Sequence, residues 1–129
     1  MNQPDLSGKV RITVPIGSEY ALVASMALCG LGMLAGLDVD MLGDLRTVAA
    51  ECLDCLAHQS GRPESISMEA YVAGNRLLMR FQAQNRMHAQ EGDALDLDIT
   101  RGVLETLVPD VHLDVDGGGV HSIECSMPV

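Results

Sequence analysis

Aromatic rings and cations are what this chain has least of. It contains no Trp, one Phe and two Tyr, so the large rings that anchor many cores and interfaces are almost missing. The interior must be built from Leu, Val, Ile, Ala and an unusual eight Met, which fill irregular gaps. Eight Lys and Arg stand against 18 Asp and Glu, a formal net charge of -10, and no basic cluster occurs anywhere. Nucleic-acid binding, which rests on neutralising phosphates with Lys and Arg, is therefore not expected. A basic protein partner suits such a surface better. Cys29, Cys52, Cys55 and Cys125 are too few and too irregularly spaced for a secreted disulfide scaffold, and a reducing cytoplasm fits them best.

Charge is also missing over one long run. Tyr20 to Leu37 carries none, at the lower edge of what can span a bilayer. Gly30, Gly32 and Gly36 dilute its hydrophobicity, and Glu19 and Asp38 flank it where Lys or Arg would be wanted. The expectation is a buried helix and no membrane association. Asp5 and Glu19 likewise argue against a secretory signal.

At 129 residues the chain has the length of one domain. Residues 1–8 read as a flexible start and 9–129 as a single folded unit. Lys9 to Val14 alternates polar and apolar side chains, the period of a half-buried strand ended by Pro15. Ser18 is a candidate N-cap for a helix running to about Ala35, stopped by Gly36. Asp38 or Asp40 opens a second helix, closed by Gly61 and Pro63. Glu64 to Ala73 and Arg76 to Ala83 form a hairpin about Gly74-Asn75. Gln84 to Asp93 is a polar loop, and Leu95, Ile99, Val103, Leu104 and Leu107 have helical spacing up to Pro109. Val111 to Val115 and Val120 to Ser126 form a second hairpin about the glycines at 117–119. Helices interspersed with hairpins imply an α+β two-layer sandwich, with one mixed or antiparallel sheet carrying its helices on one face.

The second helix organises the functional reading. Leu42, Leu45, Ala49, Cys52, Leu53 and Leu56 recur at helical steps and form its core stripe. Asp44, Val48, Glu51 and Cys55 line up on the other side, with Glu51 and Cys55 one turn apart. That second face is expected to be solvated or aimed into a pocket.

Cys52 and Cys55 match a Cys-x-x-Cys spacing, but a closed zinc site needs a second ligand pair, which His58, His88, His112 and His121 do not supply. No metal site is expected. Cys52 reads as a small buried hydrophobe at the edge of the core stripe. A Glu51/Cys55/His58 nucleophile cluster is disfavoured because the carboxylate opposes thiolate formation. Asp110, Asp114 and Asp116 have neither calcium-loop nor phosphate-loop spacing and read as solvated strand and turn positions.

The element order, together with DLRTVAAECLDC from Asp44 to Cys55, resembles the anti-sigma-factor serine kinases of the GHKL ATPase superfamily. The resemblance runs from Lys9 to the C-terminus and rests on Asp44, Leu45 and Glu51 plus the hairpin layout. It implies a Bergerat-type ATP-binding fold. Glu51 would stand where the family has its activating carboxylate, and Cys55 where an Asn holds magnesium.

The chain departs from that pattern at several points. Thiolate is a soft ligand and magnesium wants hard oxygen. Gln84 and Asn85 stand where the family has an Asp and glycines that read and admit the adenine. Ala94-Leu95-Asp96-Leu97 replaces a glycine-rich phosphate cradle, and Asp93, Asp96 and Asp98 would repel a triphosphate. The closing Gly-Thr signature is reduced to Gly119-Val120.

Glu51, Cys55, Gln84, Asn85, Leu95 and Leu97 are thus expected to mark a degenerate nucleotide site. The expected function is that of a noncatalytic anti-sigma-like regulator without cofactor, working through protein binding. By resemblance its partners would be a sigma factor or a STAS-domain anti-anti-sigma factor, and a homodimer would be the assembly. The alternative is an ATP-dependent protein serine/threonine kinase phosphorylating a STAS-domain antagonist. Its cofactors would be ATP and magnesium, with Glu51 as the catalytic carboxylate.

Overall fold

A computed structural model describes residues 5–86 and 97–129. Its elements are β1 (Val10–Pro15), α1 (Ser18–Leu34), α2 (Val39–Ala57), β2 (Ser65–Ala73), β3 (Arg76–Gln84), α3 (Leu97–Leu107), β4 (Asp110–Asp116) and β5 (Gly119–Pro128). The strands form one sheet in the order β1-β2-β3-β5-β4, and every neighbouring pair is antiparallel. The fold is α+β in two layers, and the mixed sheet that the sequence left open is not adopted.

Alternation within the strands decides which face is covered. Ile66, Met68 and Ala70 of β2 and Leu77, Met79 and Phe81 of β3 are buried, and the residues between them point the other way. On β5 the alternation slips. Asp114 pairs with Ser122 but Val115 pairs with Val120, so His121 is an extra residue opposite the Asp114/Val115 step. This bulge lets Val120 and Ile123, an odd number of residues apart, share the buried face. Both hairpins close on two-residue turns, Gly74-Asn75 and Gly117-Gly118. Gly74 has φ 61, the first-position requirement of a type II′ turn.

The two long helices are set by their ends. Gly17, at φ 150, precedes α1 and its carbonyl accepts from Tyr20 and Ala21. The cap is therefore Gly17 and not Ser18, which is the first helical residue. At the other end Leu37 N–H bonds Gly32 O, Gly36 N–H bonds Met33 O, and Gly36 adopts φ 87. That is a Schellman motif, and Leu37 folds back into the core as its apolar contact. α2 begins at Asp38, whose Oδ1 accepts from Met41 N–H at 2.9 Å.

α2 lies between α1 and α3 on the inner face of the sheet and buries Leu45, Val48, Ala49, Cys52, Leu53, Cys55 and Leu56. Two readings of its wheel need correction. Cys52 is fully buried in the middle of the stripe, not at its edge. Val48 and Cys55, assigned to the solvated or pocket side, are buried as well, because α3 packs along that flank. Leu6, in the segment read as a loose start, accepts a hydrogen bond from Val72 N–H at 2.9 Å through its carbonyl.

α1 also departs from expectation. Ala24, Ser25, Leu28, Cys29, Leu31 and Gly32 are buried, but Leu22, Met26, Met33 and Leu34 are 57%, 61%, 66% and 61% exposed. The helix is apolar all round yet covered on one side only. Among the described residues no helix is long and apolar enough to cross a membrane.

Candidate functional site

Of the positions singled out from sequence, Glu51 and Cys55 lie on the C-terminal half of α2, although not in one cavity. Cys55 is 2% exposed. Burial pushes its thiol up, the Thr100 hydroxyl on α3 partly offsets this, and the Glu51 and Asp54 carboxylates add to the rise. A protonated thiol is the stable form, and it is held in place. Gln59 Nε2 donates to Cys55 O at 2.8 Å and approaches Cys55 Sγ at 3.6 Å. Gln59 Oε1 accepts from Val120 N–H on β5 at 3.0 Å. One buried amide thus joins the end of α2 to the sheet.

Around this pin the end of α2 is strapped to the β4–β5 turn. Gly61 N–H bonds Gly118 O at 2.8 Å. Arg86 makes a two-pronged pair with Asp116, 2.6 Å on each prong, and its guanidinium lies against Gly118 where a Cβ would collide. The pairing with Arg86 and the Gly118 N–H hold the Asp116 carboxyl well below the usual carboxylate range. Gly119 sits at φ 96 with its α-carbon against Gln59, so a side chain there would strike the amide. Gln59, Arg86, Asp116 and Gly119 were not singled out from sequence as parts of one cluster. Gln59 and Val120 lie 61 residues apart, beyond any local pattern.

The remaining positions lie elsewhere. Gln84, at the end of β3, donates to Ser67 Oγ on the side of the sheet away from Cys55. Asn85, at φ 53, donates to Glu64 Oε2. Leu97 opens α3. Leu95 lies outside the described residues, as do residues 87–93 of the polar loop, whose first residue Gln84 instead ends β3, and Asp96 of the acidic run.

Glu51 is half-buried and faces a groove of about 1020 Å³ between the start of α1, α2 and the segment before β2. The groove floor is apolar, with Val14, Ile16, Ala21, Leu53 and Ala57. Glu51, Asp54 and Glu64 edge it, together with Arg62 and with His58, whose Nδ1 stands 3.2 Å from Asp54 Oδ1. Among the described residues no cluster of His, Cys, Asp and Glu is arranged to hold a metal ion.

Another cysteine of the core, Cys125 on β5, lies beside Cys52. Complete burial first, and this neighbour second, push the Cys52 thiol far up. Neither thiol of the Cys-x-x-Cys pair is therefore poised for nucleophilic or metal chemistry. No family model matches this chain, and no curated protein matches it significantly.

Proposed function

We propose that this chain is a noncatalytic regulatory domain that acts by binding a protein partner, an anti-sigma-like module related to the GHKL ATPases whose nucleotide-site positions have become packing positions. The reading is carried by Cys55. In the family that the sequence resembles, this position bears the oxygen ligand for magnesium. Here it bears a buried thiol covered by α3 and tied down by Gln59. Phosphoryl transfer works by positioning the nucleotide and neutralising its charge with metal, and a protonated sulfur in a dry core offers neither. The element order and the three helices on one sheet face are compatible with the GHKL-type scaffold.

The uncovered apolar side of α1 supports a binding role, since a helix apolar on every side is ordinarily enclosed. A sigma factor or a STAS-domain antagonist is the partner class that the resemblance brings with it. Calorimetric titration of the whole chain with ATP and magnesium tests the reading. The expected result is no heat of binding at millimolar nucleotide. A dissociation constant in the micromolar range would overturn it and restore Glu51 to the role of a catalytic carboxylate.

A further inference from the structure

We infer that the outer face of α1, with the groove that opens beside its first turn, is a docking surface for a basic amphipathic helix of a partner protein. The inference rests on the protein-binding reading above and names the surface and the chemistry of its occupant. Leu22, Val23, Met26, Gly30, Met33 and Leu34 project on one side of α1. They expose on the order of 500 Å² of apolar area, the size of the largest patch on a typical monomer, which is often a functional one. From Leu22 to Leu34 the face is about 18 Å long, room for roughly three turns of a second helix. Gly30 meets nothing within 4 Å of where a Cβ would stand, so a backbone can approach closely at mid-face. Ser18 and Ala21, one turn and one residue before Leu22, line the groove, and the apolar surface continues into it.

Charge selects the occupant. Glu19 stands at one end of the face and Asp38 and Asp40 just past the other, all exposed, and Glu51, Asp54 and Glu64 edge the groove. Arg46 and Arg62 are outnumbered, and His58 is engaged by Asp54. A second copy of this chain would bring the same acidic ends. Set antiparallel, Glu19 of one copy comes level with Asp38 of the other, and set parallel each meets its own kind. Like charges facing each other across an interface suppress such pairings. An anionic lipid surface is repelled on the same ground. A helix with an apolar stripe flanked by Lys or Arg satisfies both the core and the rim, the usual helix-in-groove arrangement.

The test uses the full chain and two fluorescein-labelled designed peptides that share one Leu/Ala stripe, one flanked by Lys and the other by Glu. Fluorescence anisotropy is read for the wild type and for the double variant Leu22→Ser/Met26→Ser, whose fold is checked by circular dichroism. The Lys peptide is expected to bind the wild type at least tenfold more tightly than the double variant, and the Glu peptide is expected not to bind. Equal affinity of the Lys peptide for both proteins, or no binding to either, would overturn the inference. So would a wild-type dimer in light scattering that the double variant abolishes, or Met26-dependent sedimentation with anionic vesicles. ATP binding measured in parallel separates the two proposals. Nucleotide binding with intact peptide binding removes only the noncatalytic reading, and absence of both removes only the docking surface.

Discussion

Gln59 is the residue on which the end of α2 depends. Replacing it with Ala deprives the Val120 N–H of its partner inside the core and leaves the Cys55 carbonyl only the His58 N–H at 3.3 Å, and a buried donor left unmade costs about 1–3 kcal/mol. Gln59→Ala should therefore lower unfolding stability in urea by about that amount. Gly119→Ala should cost at least as much, since it combines a left-handed backbone with a collision against the same amide. The Arg86–Asp116 pair gives a pH signature. Asp116 titrates below its ordinary value of 3.8 in the folded chain. The stability it contributes is complete above that value and is lost as the pH falls through the acid range. The gap in Tm between wild type and Asp116→Asn should accordingly narrow between about pH 6 and about pH 2, measured by thermal circular dichroism. Periodicity placed Cys55 and Val48 on the wheel of α2 correctly in angle. It could not say that α3 would cover that angle, because what covers a helix face is set by distant chain. The Gln59 contact was illegible for the same reason.

At the level of elements, two glycines of α1 make opposite predictions. Gly30 faces open space, so Gly30→Ala should stabilise the domain by roughly 0.5–1 kcal/mol through helix propensity alone. At Gly32 a Cβ would come within 2.8 Å of Leu45 and 3.0 Å of Leu42. Gly32→Ala should forfeit that gain and destabilise the packing of α1 on α2. Denaturant midpoints of the two variants decide this. The hairpins were legible because Gly74-Asn75 and the glycines at 117–119 carry their turn chemistry locally. The Asp38 cap was legible as one of two candidates, with Asp40 the other, while the choice of Gly17 over Ser18 turned on a backbone angle that no composition reveals. The uncharged run of α1 was read correctly as a helix within a folded domain, but the buried helix expected there is buried on one side only.

For the molecule as a whole, charge is divided between the two layers. Lys9, Arg11, Arg76 and Arg80 project from the sheet face that carries no helix, paired with Glu69, Asp110 and Glu124. Half of the chain's eight cations are thereby used on that face, which leaves the helical layer strongly acidic around its apolar α1. Association with a basic partner should then be steered electrostatically. Its on-rate, followed by stopped flow with the Lys peptide, should fall steeply between about 0.05 and about 0.5 M salt. The two-layer architecture was legible from the alternation of helical and strand patterns. The place of β5 between β3 and β4 was not, because pairing order depends on crossovers that leave no mark on periodicity.

The sheet ends in two unlike borders. β1 is short and closes on Pro15, while β4 presents Asp110, Asp114 and Asp116 along its length. A strand offered to either border meets a missing amide hydrogen or a row of carboxylates, so chains of this protein are poor templates for stacking edge to edge into fibrils. At high concentration the molecule should remain dispersed even though one of its helices is left greasy.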